Sequence, residues 1–141
     1  MSDVLLDTNI VSLLMRSDAR TATMARAARS GGSELLLCPV VEYEIRRGLL
    51  KRGAGSGLRS FEAIRAGLAY QAFDEETWLR GAELWAESRR LGQPITDADL
   101  LIAAHALQLG ATLATDNEKH FEVFKPLGLT MENWKQDVLN G

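Results

Sequence analysis

The sequence predicts an α/β fold, a three-layer α/β/α sandwich around a parallel sheet of four or five strands. Short apolar runs with no internal turn residue, such as Val4–Leu6 and Leu35–Cys38, have the continuous hydrophobicity of strands covered on both faces. Between such runs the apolar residues recur at helical spacing, so strand and helix alternate as they do in βα units. A chain of 141 residues, 46% hydrophobic and 25% charged, can bury one full core, and a single domain over residues 1–141 is expected.

The first apolar run ends on Asp7, and Thr8 to Met15 then places Ile10, Val11, Leu13 and Leu14 at helical spacing. Ser17-Asp18 offers a cap for a helix from about 19 to 29, which Gly31-Gly32 ends. Leu35–Cys38 is the second strand, stopped by Pro39, and Val40 to Lys51 follows as a helix closed by Gly53. Gly53 to Gly57 reads as a flexible turn rather than a phosphate cradle, since it lacks a Gly-Lys-Ser/Thr ending. After a helix over about 58–66, the alternation from Leu68 to Phe73 suggests a third strand. Asp74 caps a long helix to about Leu91, in which the spacing of Trp78 and Trp85 assigns both tryptophans to the core. Gly92-Gln93-Pro94 breaks the chain, and Thr96-Asp97-Ala98-Asp99 opens an apolar helix to Leu109. Residues 111–114 form the fourth strand, Thr115-Asp116-Asn117 its end, and 118–124 a last short helix.

Composition excludes several classes. No apolar run approaches the ~20 residues of a membrane span, Met1-Ser2-Asp3 lacks the basic start of a secretory signal, and a cytoplasmic protein is expected. One cysteine, Cys38, rules out an internal disulfide and any Cys-rich zinc site. A net charge of −3 argues against a generic nucleic-acid binder, yet residues 1–71 carry 10 Lys/Arg against 7 Asp/Glu. That excess is densest in Arg46, Arg47, Lys51, Arg52, Arg59 and Arg65, which could meet phosphates or be ordinary solvated helix charges.

Three acids occupy comparable places. Asp7 and Asp116 end buried strands and Asp99 lies in the first turn of a helix, so all three can face the crevice at the carboxyl ends of a parallel sheet. Each could instead be a helix cap. Glu44 cannot, because it sits one turn inside a helix, although Glu42 nearby has an equal claim to the crevice. Carboxylates converging on one crevice repel unless cations neutralise them. Oxygen donors with no Cys and only His105 and His120 select Mg²⁺ or Mn²⁺ over zinc, which points to metal-assisted phosphoester chemistry.

Four segments, Leu5-Leu6-Asp7-Thr8-Asn9-Ile10, Tyr43-Glu44-Ile45-Arg46-Arg47-Gly48-Leu49, Asp99-Leu100-Leu101-Ile102-Ala103-Ala104 and Thr115-Asp116-Asn117 followed by His120-Phe121, resemble the motifs of PIN-domain ribonucleases. The likeness is nearest to VapC-type toxins of type II toxin-antitoxin systems and includes Glu132-Asn133-Trp134. It implies that Asp7, Glu44, Asp99 and Asp116 form an acidic site for Mg²⁺ or Mn²⁺, with Thr8, Asn9, Thr115 and Asn117 as supporting polar residues. Arg46, Arg47, Lys51 and Arg52 could then hold an RNA backbone. The resemblance implies an endoribonuclease hydrolysing RNA with a cation-activated water, a small antitoxin as partner, and a homodimer.

Two alternatives stand beside it. A haloacid-dehalogenase-like phosphatase would need a second aspartate where Asn9 stands. A non-catalytic binding module would use its acids only as caps. Of the two histidines, His105 lies along an apolar helix and His120 has no histidine partner, so neither is expected to be needed for catalysis.

Overall fold

A computed structural model describes residues 2–53 and 55–135. Five parallel strands form one sheet in the order β3-β2-β1-β4-β5. The strands are β1 (Val4–Leu6), β2 (Leu35–Leu37), β3 (Ala69–Tyr70), β4 (Thr112–Thr115) and β5 (Thr130–Asn133). The helices are α1 (Thr8–Met15), α2 (Ala19–Ser30), α3 (Pro39–Arg52), α4 (Gly55–Arg65), α5 (Glu75–Arg90), α6 (Asp97–Leu109) and α7 (Glu118–Phe121), followed by a 3-10 helix, Glu122–Leu127. Among the described residues no helix is long and apolar enough to cross a membrane.

The topology follows from connection handedness. The chain steps outward from β1 to β2 to β3, then returns past them to β4 and continues to β5. Right-handed crossovers therefore place α1–α4 over one face and α5–α7 over the other, which gives the three layers. The central strands are covered on both sides, and every residue of β1, β2 and β4 is buried. Leu5 lies opposite Leu113 and Leu6 opposite Ala114 in the parallel pairing. The path of the chain reverses between β1 and β4, the kind of switch point at which α/β sheets open a crevice.

Local chemistry sets most helix starts. Asp18 and Asp74 accept hydrogen bonds from the backbone of Thr21 and Thr77, and Thr96 does the same for Asp99. Gly53 closes α3 at φ 63°, a left-handed conformation that glycine adopts without strain. The glycine-rich turn is shorter than the sequence suggests, because Gly55 and Gly57 already belong to α4.

Two expectations change, and the choice between four and five strands is decided for five. The third strand shrinks to Ala69–Tyr70, an edge pairing with β2 alone. The fifth strand, Thr130–Asn133, is half-exposed at the other edge, so its sequence carries no apolar run. Trp78 and Trp85 are not core residues, being 56% and 46% exposed. The buried line of α5 is Thr77, Gly81, Leu84 and Ser88, one position away. A Cβ on Gly81 would stand 3.0 Å from Leu101 Cδ2, so α5 approaches α6 too closely for an indole on that line.

Cys38 is buried, and burial pushes its thiol up to about 12, which suits a small core residue. His105 of α6 is also buried, edge-on to Phe73 at 4.7 Å, with neither ring nitrogen hydrogen-bonded. Burial lowers its pKa to about 4. The unfolded chain takes up the proton below 6.5 and the folded chain only near 4, so this residue withdraws stability as pH falls through that window. We expect His105→Leu to be more stable than wild type at pH 5 by about 2 kcal/mol and to show a smaller gain at pH 7.5, measured by urea denaturation. An advantage that does not grow on acidification would show that His105 titrates normally.

Candidate active site

A crevice of about 240 Å³ opens at the carboxyl ends of β1 and β4, lined by Asp7, Thr8, Asn9, Glu44, Asp99, Asp116, Asn117, His120 and Phe121. Asp7 directly follows β1 and donates its backbone N–H to Ala114 O at 2.9 Å, which continues the ladder to β4. Asp116 follows β4, Asp99 lies in the first turn of α6, and Glu44 lies one turn into α3. Chain segments far apart in sequence thus bring four carboxylates to the switch point.

Each carboxylate has its own polar partner. Asp7 Oδ1 accepts from Thr8 N at 2.8 Å and Oδ2 from Thr115 Oγ1 at 2.8 Å. Thr115 Oγ1 itself accepts from Asn117 N at 3.1 Å, so its proton is directed at Asp7. Trp134, fully buried beyond β5, donates its backbone N–H to Thr115 O and its indole N–H to Glu132, bracing the strand end beneath Asp7. Glu44 Oε1 accepts from Thr8 Oγ1 at 2.6 Å. Asn9 Nδ2 lies 3.3 Å from both oxygens of Asp116. Asp99 Oδ2 meets His120 Nε2 at 2.8 Å and Thr96 Oγ1 at 3.1 Å.

Capping accounts for little of this. Asp7 is the N-cap of α1, but Thr96 caps α6 and Asn117 precedes α7, which leaves Asp99 and Asp116 without that role. Asn9, where the phosphatase alternative requires an aspartate, serves as a donor to Asp116.

Electrostatics favour a cation here. Burial pushes Asp7 up to about 6 against its hydrogen bonds from Thr115 and Thr8, and the neighbouring Asp99 and Asp116 charges push the same way. Among the described residues no lysine or arginine lines the crevice, though Arg47 pairs with Glu44 at its rim. The donors are oxygens, the chemistry that suits Mg²⁺ or Mn²⁺. Among the described residues no three acidic, histidine or cysteine side chains yet stand in the arrangement that would grip one ion, each carboxylate being turned to its own partner. The donor set and its unbalanced charge fit a hard divalent cation, whose entry would exchange some of these contacts for coordination.

The two glutamates of α3 part company. Glu42 is held by Arg46 at 2.7 Å and Arg65 at 2.8 Å. Its carboxyl, pushed up by partial burial, ends below its usual range because these two arginines outweigh burial. Arg46 also pairs with Glu62 at 2.7 Å and lies over Phe61, so its guanidinium is committed within the fold. Lys51 and Arg52 lie seven and eight residues beyond Glu44, about 10–12 Å along the axis at the far end of α3. Arg47, 3.5 Å from Glu44 and 59% exposed, is the one of the four basic candidates that stands beside the crevice.

His120 is the lining residue that reading the sequence set aside. It lies four residues after Asp116, in the short helix that follows that strand end, and this proximity was the available signal. Its contact to Asp99 spans 21 positions and could not be read locally.

The fold is that of a PIN domain: residues 4–125 match the model of that family, and the chain belongs to it. Ribonuclease VapC19 of Mycobacterium tuberculosis is 28% identical over 123 residues, 87% of this chain and 95% of the relative. Ribonuclease VapC1 of Methanocaldococcus jannaschii is 31% identical over 104 residues, 74% of this chain and 73% of the relative. The crystal structure of VapBC2 from Rickettsia felis, bound to a DNA fragment from their promoter, aligns with a TM-score of 0.84 at 25% identity over 94% of this chain and 98% of that one. Within the PIN family, this is a VapC-type chain.

Proposed function

We propose that this chain is a divalent-cation-dependent endoribonuclease, the toxin of a toxin–antitoxin pair, with Asp7, Glu44, Asp99 and Asp116 holding Mg²⁺ or Mn²⁺. The observation that carries this reading is the convergence of four carboxylates on the crevice between β1 and β4, with Arg47 at the rim as the one lysine or arginine paired to them among the described residues. A bound cation of this kind activates water at neutral pH and stabilises negative charge on a phosphoryl group.

The chain's own residues supply position and charge. Thr115 and the Thr8 backbone hold Asp7 ionised against its burial, Thr8 Oγ1 aims Glu44, and Asn9 steadies Asp116. Arg47, at the rim, is placed to meet an RNA phosphate, while Arg46, Lys51 and Arg52 would act only on RNA that follows α3 away from the crevice. The relatives named VapC and the complex named VapBC support a small antitoxin as partner. A second copy of the chain is the other proposed partner, and this part rests on the resemblance to VapC toxins.

The products test the chemistry without the physiological target. Cleavage by the neighbouring 2′-hydroxyl requires an acid and a base flanking the phosphate, usually two histidines. His120 alone lines the crevice, and His105 is buried elsewhere. We expect 5′-phosphate and 3′-hydroxyl ends, with activity lost in EDTA and restored by Mg²⁺ or Mn²⁺, read by mass spectrometry of a cleaved oligonucleotide. A 2′,3′-cyclic phosphate formed in EDTA would sink this reading.

A further inference from the structure

We infer that His120 is a positioning residue for Asp99: it holds one carboxylate oxygen so that the other is presented to the cation. The inference rests on the proposed cation site and adds a residue to it. Both polar contacts of the Asp99 side chain fall on Oδ2, from His120 Nε2 at 2.8 Å and Thr96 Oγ1 at 3.1 Å. Oδ1 has no hydrogen-bond partner among the described residues. A carboxylate is an acceptor only, so Nε2 of the ring carries the proton and donates it.

The surroundings hold the histidine there. His120 sits on α7, four residues after Asp116, and its ring packs edge-on to the buried Phe121 at 5.2 Å between centroids. Thr96 Oγ1 also accepts from Asp99 N at 3.3 Å, so the hydroxyl that donates to Oδ2 is itself fixed at the start of α6. Two donors on one oxygen fix the rotation of the carboxylate and keep Oδ2 from competing with Oδ1 for the cation. Donors of this kind behind a ligand carboxylate set its direction and govern affinity for the metal. The contact also ties α7 to α6, two elements of the crevice wall that Asp99 alone would not link.

The test is Mn²⁺ binding to the whole chain, by titration calorimetry and by loss of the free-Mn²⁺ paramagnetic resonance signal. Wild type is compared with His120→Ala and His120→Gln, the latter because its amide nitrogen can reach the place of Nε2. His120→Ala should bind Mn²⁺ about 10- to 100-fold more weakly, with the cation-free protein still folded and its melting temperature lowered only by the lost tie between α7 and α6. His120→Gln should recover most of that affinity, and RNA cleavage by His120→Ala should return towards the wild-type rate at saturating Mn²⁺. Equal Mn²⁺ affinity in wild type and His120→Ala would overturn the inference while leaving the cation site standing. A glutamine variant as weak as alanine would overturn it too, showing that the ring and not the donated hydrogen bond matters. Wild-type protein that binds no Mn²⁺ would remove the cation site itself and this inference with it.

Discussion

Asp7→Asn should abolish RNA cleavage, by about a thousandfold or more, while making the cation-free protein more stable. The activity loss follows from removing one of the four charges proposed to hold the cation, whose stabilisation of the reacting phosphoryl group would be worth several kcal/mol. The stability gain follows from where Asp7 sits. It is 7% exposed, and burial raises its pKa from 3.8 to about 6. A carboxyl whose folded value lies above its unfolded value withdraws stability fully above about 6 and ceases to do so as pH falls towards 3.8. Asparagine keeps the shape, can accept from Thr8 N, and can donate to Thr115 Oγ1 where aspartate accepted. The expected gain is about 1–3 kcal/mol at pH 8, vanishing near pH 4. Thermal melts across pH, with and without Mn²⁺, check this: added Mn²⁺ should raise the melting temperature of wild type and leave Asp7→Asn unmoved. An active Asp7→Asn enzyme, or a variant less stable than wild type at pH 8, would show that Asp7 is a structural cap.

The two glutamates of α3 should separate function from stability. Glu44→Gln removes a carboxylate that lines the crevice and accepts from Thr8 Oγ1, and should lower cleavage about a hundredfold or more. Glu42→Gln leaves the crevice untouched but dismantles two ion pairs, one with Arg46 within α3 and one with Arg65 that ties α3 to α4. That substitution should keep near-normal cleavage and destabilise the fold by about 1 kcal/mol. Rates with a single-stranded oligonucleotide and urea midpoints on the same samples decide the matter. The opposite pattern would mean that Glu42 turns into the crevice when the cation is bound.

Much of this molecule was legible locally because its signals fall within a few residues of one another. The apolar runs at Val4–Leu6 and Leu35–Leu37, the caps Asp18, Asp74 and Thr96, and the stop at Gly53 are each set by backbone chemistry over one or two turns. Strand-end acids could be named as candidates for the same reason, since the carboxyl ends of parallel strands are where α/β sheets bind ligands, although a helix cap could account for each acid taken singly. The PIN likeness extended that reading to Glu44 and to the polar neighbours, where local chemistry left Glu42 an equal candidate.

Tertiary structure alone decided the rest, because those outcomes depend on contacts between distant segments. Helical periodicity identifies an amphipathic helix but leaves the angle of its buried line open by one position. For α5 the close approach of Gly81 to Leu101 chose the line of Thr77 and Leu84 and left both tryptophans exposed. The polar strand Thr130–Asn133 forms because β4 offers it a free edge, information its own residues do not contain. Arg46 looked like an RNA contact until Glu62, sixteen residues on, shared its guanidinium with Glu42. His120 joined the crevice only when α7 folded back onto the start of α6, and Thr115 reached Asp7 across 108 positions. The sequence by itself determined which groups could do chemistry; only the packed chain decided which of them share a crevice, because a hydrogen bond of under 3 Å is specified by the whole path between its partners.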